Sequence, residues 1–287
     1  MNLNKDWYDN IITENGILNI PYEQISDVRM RIGFGRYGIV YKTTCNWIDG
    51  DVAVKEVYVR SENDRECIES FINEVKIHNR ARNKRIIQLY GISRNVEKKF
   101  YYIVIEYANE GTLYDYLNKK KGLKERVRLA TQISEGLSYL HNKLNISHRD
   151  LHMRNILVKD GNIKISDFGM SKGLDVKNKS FGLLPIFKSR ELSAFALDKV
   201  SDIYSLGVIL LELSNCRRTL FPKERTRKRY STKDELGLRD KTAMTSISKE
   251  LQFKPLEPVY LSTGKRNNIC AVQTLLEKKK KLIKIDL

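Results

Sequence analysis

Cysteine, proline and long apolar runs are all scarce in this chain, whose 287 residues include four Cys, five Pro and two Trp. Cys45, Cys67, Cys216 and Cys270 are widely spaced and form no C-x-x-C pair, so reduced thiols in a cytosolic or nuclear protein are expected. No stretch approaches the roughly 18–20 uninterrupted apolar residues that a bilayer span needs. The longest candidate, Ile203–Leu213, is too short and carries Glu212. Lys5 and Asp6 stand near the N-terminus without a following apolar run and cleavage site, which argues against secretion. Internal repeats are absent, and the one low-complexity run is Lys278–Lys281.

Acidic residues are also in deficit, with 35 Asp and Glu against 52 Lys and Arg for a formal charge of +17. The imbalance is uneven: residues 217–287 hold 19 basic against 8 acidic side chains. Such a portion can attract nucleic acid, anionic lipid or acidic protein, but a solvated, self-repelling surface is the favoured reading, because charge patterning alone is a weak functional signal. What remains is an ordinary globular composition, 41% hydrophobic and 30% charged, in a chain long enough for a sizeable core.

Apolar periodicity divides the chain. Strand-like runs fall at Val52–Val59, Tyr101–Glu106, Ile156–Val158 and Ile163–Ser166. Ile68, Phe71, Ile72 and Val75 recur at helical spacing, as do Val127, Ala130, Ile133, Leu137 and Leu140. A third helix over 202–214 is apolar nearly all round and therefore belongs in the interior. Strands with one helix come first and mostly helices later, with a boundary near Asn109–Gly111.

Three motifs carry chemistry. Gly33, Gly35 and Gly38 are spaced so that a hairpin can fold flat over phosphates, because no Cβ shields the backbone N–H groups. A strand and not a helix follows the last glycine, which disfavours a dinucleotide-binding turn. Next, Lys55 ends the apolar run Val52-Ala53-Val54, where a charge needs a specific partner or is costly to bury. Glu74, on the helix with Phe71 and Val75, is a candidate for that partner. Last, His148-Arg149-Asp150 is followed by Asn155 and then by Asp167-Phe168-Gly169. Phosphoryl transfer needs an oriented hydroxyl and cations that spread the charge of the moving group. Asp150 is placed to orient and deprotonate the hydroxyl, and Asn155 and Asp167 are hard oxygen ligands of the kind Mg²⁺ prefers.

On these residues the sequence resembles the eukaryotic protein kinase domain, closest in flavour to tyrosine-kinase-like and tyrosine kinase members. The resemblance is dense from Ile25 to Leu213. It implies an α+β, bilobal fold with a small β-rich lobe containing one helix and a larger, mainly helical lobe. The expected divisions are an N-terminal extension over 1–24, an N-lobe over 25–108, a C-lobe over 109–276 that diverges from 217, and a basic tail over 277–287. ATP and Mg²⁺ are the implied ligands, and a protein hydroxyl is the acceptor. By resemblance, Gly33, Gly35 and Gly38 cover the ATP phosphates, and Lys55 pairs with Glu74. Ile105 is the gatekeeper, Glu106 and Ala108 present hinge backbone to adenine, and Val40, Ala53 and Leu157 sandwich the ring. His78, Leu89, His148 and Phe168 stack as a spine, and Asp202 anchors the catalytic loop.

The sequence departs from the family in two places. His152 stands where serine/threonine kinases usually carry a lysine, while Arg154 stands where tyrosine kinases often carry an arginine, so the acceptor hydroxyl is open. Arg154 is expected to screen the γ-phosphate. Farther on, the usual Ala-Pro-Glu becomes Lys188-Ser189-Arg190, or Ser189-Arg190-Glu191 with a slip of one. Arg149 is a candidate receptor for a phosphate in the preceding segment, with Ser180 as the expected site. A pseudokinase scaffold is the rival reading, resting on that degraded segment. A nucleic-acid-binding role rests on the basic C-terminal portion alone and is disfavoured for want of interleaved aromatics. Nothing in the sequence calls for a constitutive oligomer, so a monomer or transient dimer is expected.

Overall fold

The computed structural model of the chain describes residues 7–35, 38–59, 64–119, 122–173 and 199–214. Helix α1 (Trp7–Asn15) is followed by a 3₁₀ turn at Tyr22–Gln24 and strands β1 (Met30–Gly35), β2 (Gly38–Cys45) and β3 (Ile48–Tyr58). Helix α2 (Arg65–Arg80) leads to β4 (Leu89–Asn95) and β5 (Phe100–Glu106). These five strands form one antiparallel sheet in the order β1-β2-β3-β5-β4. Next come α3 (Leu113–Leu117) and α4 (Leu123–Ser138), which runs on into a π turn at Tyr139–Lys143. The short strands β6 (Ile146–Ser147), β7 (Ile156–Lys159), β8 (Asn162–Ile165) and β9 (Lys172–Gly173) and the helix α5 (Lys199–Ser214) complete the described elements. The α+β architecture, sheet first and helices after, is the expected one.

Val52, Ala53, Val54 and Lys55 are all buried, because both faces of β3 are covered. That is why this strand shows no alternation of apolar and polar residues in sequence. On one face lie α2, through Cys67, Ile68, Phe71 and Val75, and α1, through Trp7, Tyr8 and Ile11. Trp7 meets Phe71 edge-on with ring centroids 5.7 Å apart and tilts over Tyr101 at 4.8 Å. The Asn79 side-chain amide donates to the Asn15 carbonyl at 2.7 Å, tying the two helices at their ends. The chain then runs along the edge of the sheet, where Ile20 N–H donates to Ile92 O at 2.8 Å and Ile92 N–H to Leu18 O at 2.9 Å. A Cβ on Gly91 would sit 2.5 Å from the Leu18 carbonyl, so this crossing requires glycine. Ile20 and Ile25 then cover the opposite face against Val52, Val54, Tyr102 and Val104.

The second lobe is built around α4. Its Val127, Ala130, Ile133 and Leu137 are buried, and Leu140 continues the stripe into the π turn. Ile146, Leu151, Ile156, Ile163, Ile165, Leu206 and Ile209 join the same core. Thr112 caps α3 by accepting from Asp115 N–H at 3.2 Å. Just after β5, Glu110 N–H donates to Val158 O and Val158 N–H to Gly111 O, with Gly111 at φ +75°.

Candidate active site

β1 and β2 form the hairpin that the glycines allow. Gly33 lies opposite Val40 and Gly35 opposite Gly38, while the tip, Arg36 and Tyr37, lies outside the described residues. A Cβ on Gly38 would collide with the Glu56 carbonyl of β3, so this glycine also sets how closely the hairpin lies on the sheet. Register then places Val40 opposite Lys55, Ala53 opposite Ile105 and Val52 opposite Glu106.

Lys55 is buried and its ammonium donates to both oxygens of Glu74, at 2.9 and 2.7 Å, and to Asp167 Oδ1 at 3.4 Å. Strand, helix and the Asp-Phe-Gly segment thus converge on one nitrogen. Burial opposes the charge of Lys55, but the carboxylates of Glu74 and Asp167 outweigh it and hold the ammonium above the usual lysine pKa. Burial likewise works against the Asp167 carboxylate, yet Lys55, His148 and the Gly169 N–H bring its pKa below the ordinary value.

The catalytic loop hangs from α5. Asp202, fully buried, accepts from His148 N–H at 2.7 Å, Arg149 N–H at 2.7 Å and Ser147 Oγ at 3.0 Å, and bonds His141 Nε2 at 2.8 Å. Arg149 adopts φ +72°, a left-handed conformation that a non-glycine residue holds only when its surroundings enforce it. Its Nε is buried with no hydrogen-bond partner among the described residues. Downstream, Asn155 donates through Nδ2 to Asp150 O at 2.9 Å and to Asp150 Oδ2 at 3.1 Å. This fixes the carboxylate of Asp150 and leaves the Asn155 side-chain oxygen uncommitted among the described residues. Ser166 N–H and Oγ both donate to Asn155 O, so Asn155 and Asp167 are held side by side. An ionised carboxylate and a free amide oxygen fit Mg²⁺, which takes few protein ligands and completes its shell with water and phosphate oxygens.

Phe168 packs edge-on against His78 and tilted against His148, with centroid separations of 4.6 and 5.1 Å. Leu89 is half-buried at the start of β4. Both ring nitrogens of His78 are buried without a hydrogen bond, and burial, assisted by Lys55, lowers its pKa from 6.5 to about 3. Between those values the unfolded chain binds a proton that the folded one refuses, so stability falls as pH drops below about 6.5. The slope is at most about 1.4 kcal/mol per pH unit. We expect His78→Leu to melt higher than wild type at pH 7.5 and to lose less of its melting temperature on going to pH 5.5. Equal losses for the two proteins would count against this assignment.

Ile105, Ala108 and Leu157 lie around the lobe junction. Ala108 O accepts from Gly111 N–H, which leaves the Ala108 N–H as the group this residue can offer, and Leu157 bridges to Thr112. Glu106 turns its carboxylate away to Lys159 at 3.0 Å and Lys164 at 2.8 Å, so only its backbone can face a nucleotide. His152 lies with Nε2 3.8 Å from Asp150 Oδ1, and burial holds its imidazole below the usual pKa, so it does not replace a permanent lysine charge. Arg154 is exposed, its guanidinium 4.5 Å above the Tyr114 ring. Ser180 and the segment Lys188–Glu191 lie outside the described residues, as does everything from residue 215 on.

One set of contacts has no counterpart in the sequence reading. Asn73, beside Glu74, donates to Phe168 O at 3.3 Å and Ser171 O at 2.6 Å, and Ser171 Oγ donates to His148 O at 3.0 Å. With Ser70 Oγ, which donates to Gly169 O at 3.4 Å, Asn73 ties α2 directly to the Asp-Phe-Gly segment. Its one visible sign is a polar residue on the half-buried stripe of α2.

Comparison with known proteins agrees with this geometry. A family described as "Protein kinase domain" matches residues 26–282. Serine/threonine-protein kinase CTR1 of Arabidopsis thaliana is 34% identical over 212 residues, covering 70% of this chain and 25% of its own length. Putative serine/threonine-protein kinase-like protein CCR3 of the same plant is 32% identical over 217 residues, covering 67% of this chain and 26% of itself. A probable serine/threonine-protein kinase of Dictyostelium discoideum is 33% identical over 207 residues, 68% of this chain and 22% of its own length. The chain therefore matches about a quarter of each of these relatives.

Proposed function

This chain belongs to the protein kinase domain family, and on that premise we propose that it transfers the γ-phosphate of ATP to serine or threonine hydroxyls of protein substrates in intracellular signalling. The observation that carries this reading is the coexistence of two finished constellations: Lys55 held by Glu74 and Asp167, and Asp150 held by Asn155. Asp150 orients the hydroxyl and takes its proton, while the ammonium of Lys55 fixes the nucleotide phosphates. Asp167 and Asn155 are the residues that would hold Mg²⁺, which supplies charge neutralisation on the phosphates. Preference for serine or threonine rests on the names of the relatives. Among the described residues, no helix is long and apolar enough to cross a membrane. The unpaired Nε of Arg149 supports its role as a receptor for an activation-segment phosphate, with Ser180 as the proposed site. A nucleotide-binding scaffold without turnover is the rival, favoured by the sequence of Lys188–Glu191 alone.

The test is phospho-amino-acid analysis of the protein after incubation with Mg-ATP. Phosphoserine or phosphothreonine is the expected product. Phosphotyrosine alone would overturn the specificity, and a rise in melting temperature with Mg-ATP but no incorporation would favour the scaffold.

A further inference from the structure

The loop that carries Asp150 also carries a cation, Arg154, four residues later. His152 Nδ1 accepts from Arg154 N–H at 3.2 Å, and Met153 O accepts from Tyr114 N–H at 3.3 Å, so the backbone before Arg154 is pinned to α3. From there the guanidinium lies over the Tyr114 ring. Of the other cations around the cleft, Lys55 is engaged with Glu74 and Asp167, and Lys159 and Lys164 with Glu106, while the unpartnered Nε of Arg149 is buried. Arg154 is exposed and forms no ion pair within 4.0 Å among the described residues.

Glu212 of α5 lies in its field without pairing. Burial raises the Glu212 carboxyl from 4.5 to about 7, against the pull of Arg154, so near neutral pH its charge is incomplete and does not cancel the arginine. Stacking on a ring spends the face of a guanidinium and leaves its edge N–H groups free, in the fork that matches a carboxylate. The position matters as much as the charge. A substrate whose hydroxyl reaches Asp150 must lay its neighbouring residues along this loop, because Arg154 follows Asp150 by only four residues.

We propose that Arg154, stacked on Tyr114, selects substrates carrying a glutamate or aspartate beside the acceptor hydroxyl. The inference rests on the kinase reading above and assigns Arg154 to the flanking side chain of the substrate in place of the γ-phosphate.

The test uses the full chain and peptides with one acceptor serine and either Glu or Lys at each of the flanking positions in turn. In wild type, kcat/KM should favour Glu over Lys at one position by about fivefold, the scale of a partly exposed ion pair. That preference should shrink in about 0.5 M salt, where such charges are screened. Arg154→Glu should invert the preference at the same position, and Arg154→Lys should keep its sign. A uniform fall in kcat/KM for every peptide in Arg154→Glu would overturn the proposal and return Arg154 to the γ-phosphate. No selective position in wild type would overturn it as well. If no peptide is phosphorylated, the kinase reading fails separately, and peptide affinities by fluorescence anisotropy carry the same Glu-against-Lys comparison.

Discussion

Asp150→Asn is expected to lower kcat by a factor on the order of 10²–10⁴, the range attributed to general-base catalysis, while Mg-ATP still raises the melting temperature. The carboxylate of Asp150 touches neither Lys55 nor Asp167; its hydrogen-bond partner is Asn155 Nδ2 at 3.1 Å. An asparagine there keeps the shape of the loop but cannot take a proton from the hydroxyl. Nucleotide binding is proposed to depend on the other constellation, so Lys55→Met should behave differently and weaken the Mg-ATP shift as well as turnover. Turnover of Asp150→Asn within tenfold of wild type would remove Asp150 from the mechanism. Loss of the Mg-ATP shift in Asp150→Asn would mean that the two constellations are not separable.

Asp202→Ala should have the largest effect on stability. One buried carboxylate satisfies two backbone N–H groups, the Ser147 hydroxyl and the His141 ring. Removing one partner of a buried, charge-assisted network strands the others, at a cost of about 3–5 kcal/mol. For a protein of this size that is a fall in melting temperature on the order of 10 °C. Burial raises the Asp202 pKa, but the bonds from His141 and the Arg149 backbone, with the charges of His141 and His148, outweigh it and the net shift is downward. A depressed carboxyl contributes its stability above the unfolded value, about 3.9, and loses it as pH falls through the folded one. The variant should therefore be less stable at neutral pH and show a shallower acid transition. Because His148 and Arg149 lose their anchor, turnover should fall together with stability, in contrast to Asp150→Asn. An Asp202→Ala protein melting within about 2 °C of wild type would show that the loop is held by other means.

The candidate site residues were legible because each belongs to a short local pattern, and their meeting follows from strand order and one helix. The long helices were legible too: α2 and α4 each bury a stripe long enough to show a period, and α5 is apolar nearly all round. Their ends were less so; α2 begins at Arg65, before the first apolar residue of its stripe. Helix α1 was invisible. Nine residues are too few to display a period, and so short a helix is held by what it docks against. The π turn that delivers His141 to Asp202 and the amide of Asn73 were equally hidden, since each takes its role from a partner 61 and 98 residues away. The contact of Arg154 with the ring of Tyr114 was hidden in the same way, since the two residues are 40 apart in the chain.

The recognisable family unit begins at residue 26, yet the sheet is sealed by residues before it. Trp7, Tyr8 and Ile11 roof one face, the strand-edge crossing at Leu18–Ile20 pins the border, and Ile20 closes the other face. A protein trimmed to the family match would present Phe71, Tyr101 and Ile92 to water as a contiguous sticky surface, Phe71 lying on the helix that carries Glu74. The boundary of the cooperative folding unit therefore lies at or before Trp7, and a preparation starting at Ile25 would report on an uncovered lobe.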